Sequence, residues 1–290
     1  MDTQEKIIQL YKSGLSLAEV GRQCFLTPYK IKKYLQKNNI PIRSRAQQNQ
    51  LTNMQRAKAV NHEYFQQIDS VNKAWLLGFI AADGAISNNR NAITIKLSAI
   101  DVSILQQIKQ ELQIERNIFT SITNNGFEIC SLEWSSQKQK QDLAKYGIVN
   151  NKTYLPMHLP KFTNDNLILA FILGYFDGDG SITIRDGKYP NDRGILCYDY
   201  SLYVQIRGTK DFLSGICNHL KIDTTHIHQN DSIPHLSFAS KKDTYRFFQC
   251  YKNLPFYYKR KYDKFLQRIN HPSYDKYKQV QTISSPIENL

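Results

Sequence analysis

Apolar positions in the first 45 residues repeat at helical spacing, in three short runs. Ile7, Ile8, Leu10 and Tyr11 make one apolar face, which stops at Ser13-Gly14. Ser16 and Glu19 then form a capping box, in which each side chain can satisfy the other residue's unpaired backbone N–H. Thr27 and Pro28 open a third helix as its cap and first residue, Ile31 and Leu35 face inward, and Pro41 ends it. Residues 46–68 hold six glutamines and few apolar positions, so they are expected to be a connector with some helical character.

From residue 74 the pattern changes, and it then occurs twice. An apolar helix with small residues four apart (Gly78 and Ala82) runs into Asp83-Gly84, and a second (Gly174 and Gly178) runs into Asp179-Gly180. Leu105, Ile108, Leu112 and Ile114 recur 108 positions later as Leu213, Ile216, Leu220 and Ile222. The two aspartates are only 96 apart, so the second copy carries about twelve extra residues, expected in a polar loop at 186–199. Strands are expected at 92–97 and 127–134 in the first copy, and at 181–185, 201–207 and 235–239 in the second. Ile93, Ile95 and Leu97 alternate with Thr94, Lys96 and Ser98, as Leu202, Val204 and Ile206 do with Tyr203, Gln205 and Arg207. One face of each sheet is thus apolar, while the other carries groups able to read base edges. The class is α+β: two matching halves at 69–161 and 162–272, a small all-helical domain at 1–45, and a tail at 273–290.

Charge narrows the partner. The 290 residues hold 38 Lys and Arg against 25 Asp and Glu, a net +13, which favours a polyanion. Residues 1–45 have nine basic and three acidic side chains, a net +6, with Lys30, Lys32, Lys33 and Lys37 crowded on the third helix. Two short helices with a tight turn and a basic second helix resemble a helix-turn-helix of the recombinase type. That resemblance implies that the third helix enters a major groove. Arg43 and Arg45 would then follow the minor groove as an arm or serve as a linker. Residues 241–264 add eight basic groups against two acidic ones. The apolar stretch at 74–82 has nine residues, too few to span a bilayer, and five scattered cysteines fit a reducing intracellular compartment. No secretion signal is expected from the acidic start of the chain. His226 and His228 have no acidic or thiol partner at metal-ligand spacing.

The small-residue spacing lets two helix backbones approach closely and should place Asp83 and Asp179 side by side. The glycines that follow are expected to end each helix in the left-handed conformation. Two carboxylates about 5 Å apart repel by roughly 3 kcal/mol at an effective dielectric of 20, and both sit at the negative end of a helix dipole. A shared proton or a cation would relieve them, and hard oxygen ligands suit Mg²⁺ and a phosphodiester substrate.

Leu76–Gly84 and Ile172–Gly180 are similar to the nine-residue signature of the LAGLIDADG homing endonucleases, and the resemblance covers residues 69 to 270. It implies a monomer of two pseudo-symmetric αββαββα halves whose sheets form a saddle on double-stranded DNA, with cleavage dependent on Mg²⁺ or another divalent cation. It carries the catalytic, metal-binding acids over to Asp83 and Asp179, and it assigns no metal to Asp177, which matches Ala81. A basic residue near each scissile phosphate falls on Lys152 and on Lys261, the latter beside Lys259 and Arg260. Lys96, Ser98, Thr183, Arg185, Tyr203, Gln205 and Arg207 would face DNA. An intron RNA maturase and a non-cleaving regulator on the same fold are the alternatives; both motif aspartates are present, which favours cleavage.

Overall fold

A computed structural model describes residues 3–58, 60–151, 157–229, 233–252, 254 and 256–278, and the chain divides into two compact units after Val60. In the first unit, α1 (Thr3–Lys12), α2 (Leu17–Cys24) and α3 (Pro28–Lys37) enclose Ile7, Tyr11, Val20, Ile31 and Leu35. The expected caps are in place. Ser16 N donates to Glu19 Oε2 at 2.8 Å while Glu19 N donates back to Ser16 Oγ, and Lys30 N donates to Thr27 Oγ1. The glutamine-rich stretch contributes α4 (Arg45–Lys58), capped by Ser44 and Gln47.

The second unit contains the duplication. Its first half runs α5 (Val71–Asp83), β1 (Gly84–Ile86), β2 (Ala92–Ser98), α6 (Val102–Glu111), β3 (Phe119–Ile122), β4 (Glu128–Ser135) and α7 (Gln137–Ala144). Its second half repeats the order as α8 (Asp165–Asp179), β5 (Ser181–Pro190), β6 (Leu196–Arg207), α9 (Lys210–Leu220), β7 (Ile227–His228), β8 (His235–Phe238) and α10 (Lys241–Lys252). Both sheets are antiparallel with equivalent strand orders, β1-β2-β4-β3 and β5-β6-β8-β7. This is the αββαββα repeat the resemblance implied. Then come α11 (Lys259–Ile269) and α12 (Asp275–Lys278); Tyr274, expected in a tail, is completely buried, and residues 279–290 lie outside the described residues.

Alternation positions the sheets as expected. Ile93, Ile95, Leu202, Val204 and Ile206 are fully buried, while Lys96, Ser98 and Arg207 are exposed. The extra residues of the second copy are not a polar loop. Strands β5 and β6 pair continuously from Ser181↔Gln205 to Pro190↔Leu196, leaving 191–195 to turn. The backbone groups of this segment are satisfied by cross-strand pairing, although side chains such as Tyr189 and Leu196 are exposed.

The α5–α8 contact fixes the centre of this unit. A Cβ on Gly78 would lie 2.0 Å from Phe171 O, and one on Gly174 would lie 1.9 Å from Trp75 O. The two backbones therefore touch where each helix has no side chain.

Candidate active site

Helices α5 and α8 end together at the motif aspartates. A Cβ on Gly178 would meet Ala82 Cβ at 2.3 Å and Asp83 Cγ at 3.4 Å, so the half-buried Asp83 carboxyl rests against the end of α8. Asp179 closes α8 one residue later and is exposed. Gly84 and Gly180 are extended (φ −73°, ψ 137° and φ −77°, ψ 156°), which corrects the left-handed expectation. The chain leaves each helix directly into a strand, so an extended residue is needed there. Glycine is still required, because a Cβ would come within 2.6 Å of Ile80 O at Gly84 and 2.4 Å of Phe176 O at Gly180.

A cavity of about 370 Å³ opens beside these helix ends, and its walls include Asp83, Lys96, Ser98, Asp177, Arg260 and Lys261. Asp179 does not line it. Lys261 Nζ donates to the carbonyls of Phe176 and Asp177, both at 2.7 Å, and reaches that of Gly178 at 3.3 Å. It thus caps α8 and offsets the negative end of its dipole with a charge from the chain itself. Burial pushes the Lys261 ammonium down to about 8, while Asp177, Asp83 and Asp179 act in the opposite direction.

Asp177, at the motif position assigned no metal, is a buried structural acceptor. It takes the Trp75 indole N–H at 3.0 Å, the Tyr258 backbone N–H at 3.1 Å and the Tyr251 hydroxyl. Burial raises its carboxyl to about 7 against those donors and Lys261. The Tyr258 hydroxyl donates to Asp101 at 2.6 Å and Arg260 lies 3.3 Å from the same oxygen, so the second half grips the turn that follows β2. Asp101 had no signal in the sequence. Asp177 had one, since an acid inside an apolar helix needs partners.

The structure brings together Asp83, Lys96, Ser98, Arg260 and Lys261. Thr183, Arg185, Tyr203, Gln205 and Arg207 do not line that cavity and lie along β5 and β6, on the face of the second sheet opposite the buried Leu202, Val204 and Ile206. There the Arg185 guanidinium lies 4.5 Å above the Tyr203 ring and donates to its hydroxyl at 3.3 Å. Tyr175, buried on α8, donates to the Arg207 carbonyl at 3.1 Å; burial and Asp179 both raise its pKa. Lys259 pairs with Asp263 at 2.7 Å. Lys152 lies outside the described residues. Lys30, Lys32, Lys33 and Arg45 belong to the first unit and are exposed. Arg43 is half-buried: its guanidinium donates to Tyr11 O at 2.8 Å and Leu15 O at 2.7 Å and covers the Tyr11 ring. The cation is held there because those two carbonyls need donors.

Two hard carboxylates at adjoining helix ends, both within electrostatic reach of one buried ammonium, fit a divalent cation completed by ligands from outside the chain. Among the described residues no group of three or more His, Cys, Asp or Glu side chains could hold a metal by itself. The described cysteines are unpaired, and among the described residues no helix is long and apolar enough to cross a membrane.

Residues 172–270 match the family described as LAGLIDADG endonuclease, and residues 70–148 match the LAGLIDADG-like domain. The chain belongs to the LAGLIDADG family. The family resemblance read from the paired motifs is thus borne out in both halves. An uncharacterized protein of Methanocaldococcus jannaschii is 23% identical over 195 residues, 64% of this chain and 64% of its own length. Among solved structures, the LAGLIDADG meganuclease I-AabMI bound to uncleaved DNA is similar with TM-score 0.45 and 12% identity, over 67% of this chain and 88% of that one. The LAGLIDADG homing endonuclease I-LtrWI bound to target DNA gives 0.46 and 13%, over 71% and 90%. I-SmaMI, bound to an uncleaved DNA target in the presence of calcium ions, gives 0.44 and 14%, over 67% and 89%.

Proposed function

We propose that this LAGLIDADG protein is a site-specific, homing-type double-strand DNA endonuclease that hydrolyses phosphodiesters with one aspartate from each half. The observation that carries this reading is the glycine-to-backbone packing of α5 on α8, which sets the Asp83 carboxyl against the helix that ends in Asp179. Both carboxylates would hold Mg²⁺ or another divalent cation, which when bound supplies Lewis acidity toward a phosphodiester. Lys261 keeps the helix-end carbonyls compensated and, with Lys152 from the other half, balances charge that builds on the phosphate. Ser98 and Arg207, each at the end of its half's second strand, order water near the acids.

Lys96, Thr183, Arg185, Tyr203 and Gln205 face base edges, while Lys259 and Arg260 face phosphates. The first unit acts as a helix-turn-helix that extends the footprint through Lys30, Lys32, Lys33 and Arg45. The net charge of +13 supports a polyanionic partner throughout. A monomer in a reducing intracellular compartment completes the reading.

The experiment is selection of duplexes by the full chain from a randomised double-stranded library, followed by Mg²⁺ addition or chelation. The expected result is one enriched sequence, cut on both strands with Mg²⁺ and intact with chelator. Tight duplex binding without any cut would leave the regulator. Tight binding to structured RNA with indifference to duplex DNA would make this chain a maturase.

A further inference from the structure

The turn between α2 and α3 contains the least explained side chain of the first unit. Phe25 is 95% exposed and has a left-handed backbone, φ 54°. Among the described residues, the other non-glycine residues with positive φ are Asn39, Gln113, Asn151 and Lys221, all polar. The hydrogen bonds around Phe25 form a helix-ending loop of the Schellman type, with Leu26 N donating to Gly21 O at 2.8 Å, and glycine is the residue that fits its left-handed position best. Gly21 is itself required, because a Cβ there would lie 2.5 Å from Leu26 O. Folding of the turn is secured on either side of Phe25, since Cys24 and Leu26 pack against the unit's core. The phenyl ring therefore adds strain and exposed apolar area and contributes nothing to the core.

One helical turn further on, Tyr29 is 71% exposed at the start of α3. Helix α3 carries Lys30, Lys32, Lys33 and Lys37, all exposed, and no acidic residue. Exposed aromatic groups beside a helix whose charged side chains are all ammonium groups suit a partner with a phosphate backbone and apolar groups between its phosphates. In the major groove, the thymine 5-methyl is that group, and phenyl rings contact it.

We infer that Phe25, supported by Tyr29, reads thymine methyl groups in the major groove of duplex DNA, with the α3 lysines on the flanking phosphates. This rests on the reading of the first unit as a DNA binder and adds the base it selects. Strain at Phe25 is then retained for recognition, as expected when an unfavourable backbone persists at a working site.

The test uses duplexes selected by the full chain from a randomised library. Base pairs whose protection is lost with the double variant Lys30→Ala, Lys33→Ala mark the stretch that the first unit covers. Within it each thymine is replaced by deoxyuracil, which removes the methyl and nothing else. Wild type should lose about tenfold in affinity at one or two positions. Phe25→Gly should bind the thymine duplex about tenfold more weakly, ignore the deoxyuracil change, and melt at the same or a higher temperature. Indifference of wild type to every deoxyuracil, or a Phe25→Gly variant that still discriminates, overturns the inference. So does a markedly lower melting temperature for Phe25→Gly, which would make Phe25 structural. If the double lysine variant loses no protection anywhere, the DNA-binding reading of this unit fails, and the role of Phe25 with it.

Discussion

The indole N–H of Trp75 on α5 donates to the Asp177 carboxylate on α8 at 3.0 Å, across the contact that joins the two halves. The same carboxylate accepts from Tyr251 and from the Tyr258 backbone, so one buried acid ties α5, α8 and the approach to α11. Replacement by leucine strands three donors at once. Asp177→Leu should destabilise the second unit by about 3 kcal/mol, since each buried unsatisfied group costs roughly 1–3 kcal/mol. Urea unfolding followed by tryptophan fluorescence measures it, and a loss below 1 kcal/mol would contradict the network's role.

Gly78→Ala should be far more damaging than its size suggests. Its Cβ would sit 2.0 Å from Phe171 O, a backbone atom held by its own helix, so α5 and α8 must separate. A loss of about 4 kcal/mol or more is expected, above the roughly 1–3 kcal/mol usual for overpacking, because helix backbone rather than a side chain must give way. Gly126→Ala is the control. It meets nothing within 4 Å, and its positive φ alone should cost roughly 1 kcal/mol. Thermal unfolding of both variants tests the contrast.

Acid should weaken the first half through Asp142. Burial pushes this carboxyl up, but hydrogen bonds from Lys145 at 2.6 Å and Lys138 at 3.1 Å outweigh it and hold the pKa below 3.8. A depressed folded pKa means that the unfolded chain takes up the proton first. The group's contribution is therefore complete above about pH 4 and is lost as pH falls through the lower folded value. Asp142→Asn should flatten the stability profile in that window, and denaturant midpoints between pH 5 and 2.5 check it.

Much of this architecture is legible in the sequence because it is written in local patterns. Alternation along β2 and β6 appears because each sheet buries one face, and the paired Asp-Gly motifs appear because close helix packing demands glycine at set spacing. What escaped is long-range or geometric. Tyr251 and Tyr258 lie 74 and 81 positions from Asp177, and nothing in their neighbourhoods marks them as its donors. Arg43 looked like a free cation because its acceptors, Tyr11 O and Leu15 O, are backbone atoms 32 and 28 residues away. The short strands β1 and β3 carry too few residues for alternation to show. The β5–β6 extension mixes Asp186 and Lys188 with exposed Tyr189 and Leu196, so it lacks the alternating buried apolar stripe that marks a strand.

If Asp83 and Asp179 act together on one scissile site, substituting either alone should abolish cutting of both strands. Wild type, Asp83→Asn and Asp179→Asn are compared on one selected duplex with Mg²⁺, reading strand cleavage by denaturing gel and affinity by titration. Each variant is expected to bind within about threefold of wild type and to lose cleavage of both strands by at least about a thousandfold, on the order of the 4 kcal/mol that a lost transition-state contact can supply. Undiminished double-strand cleavage by either variant would contradict the account.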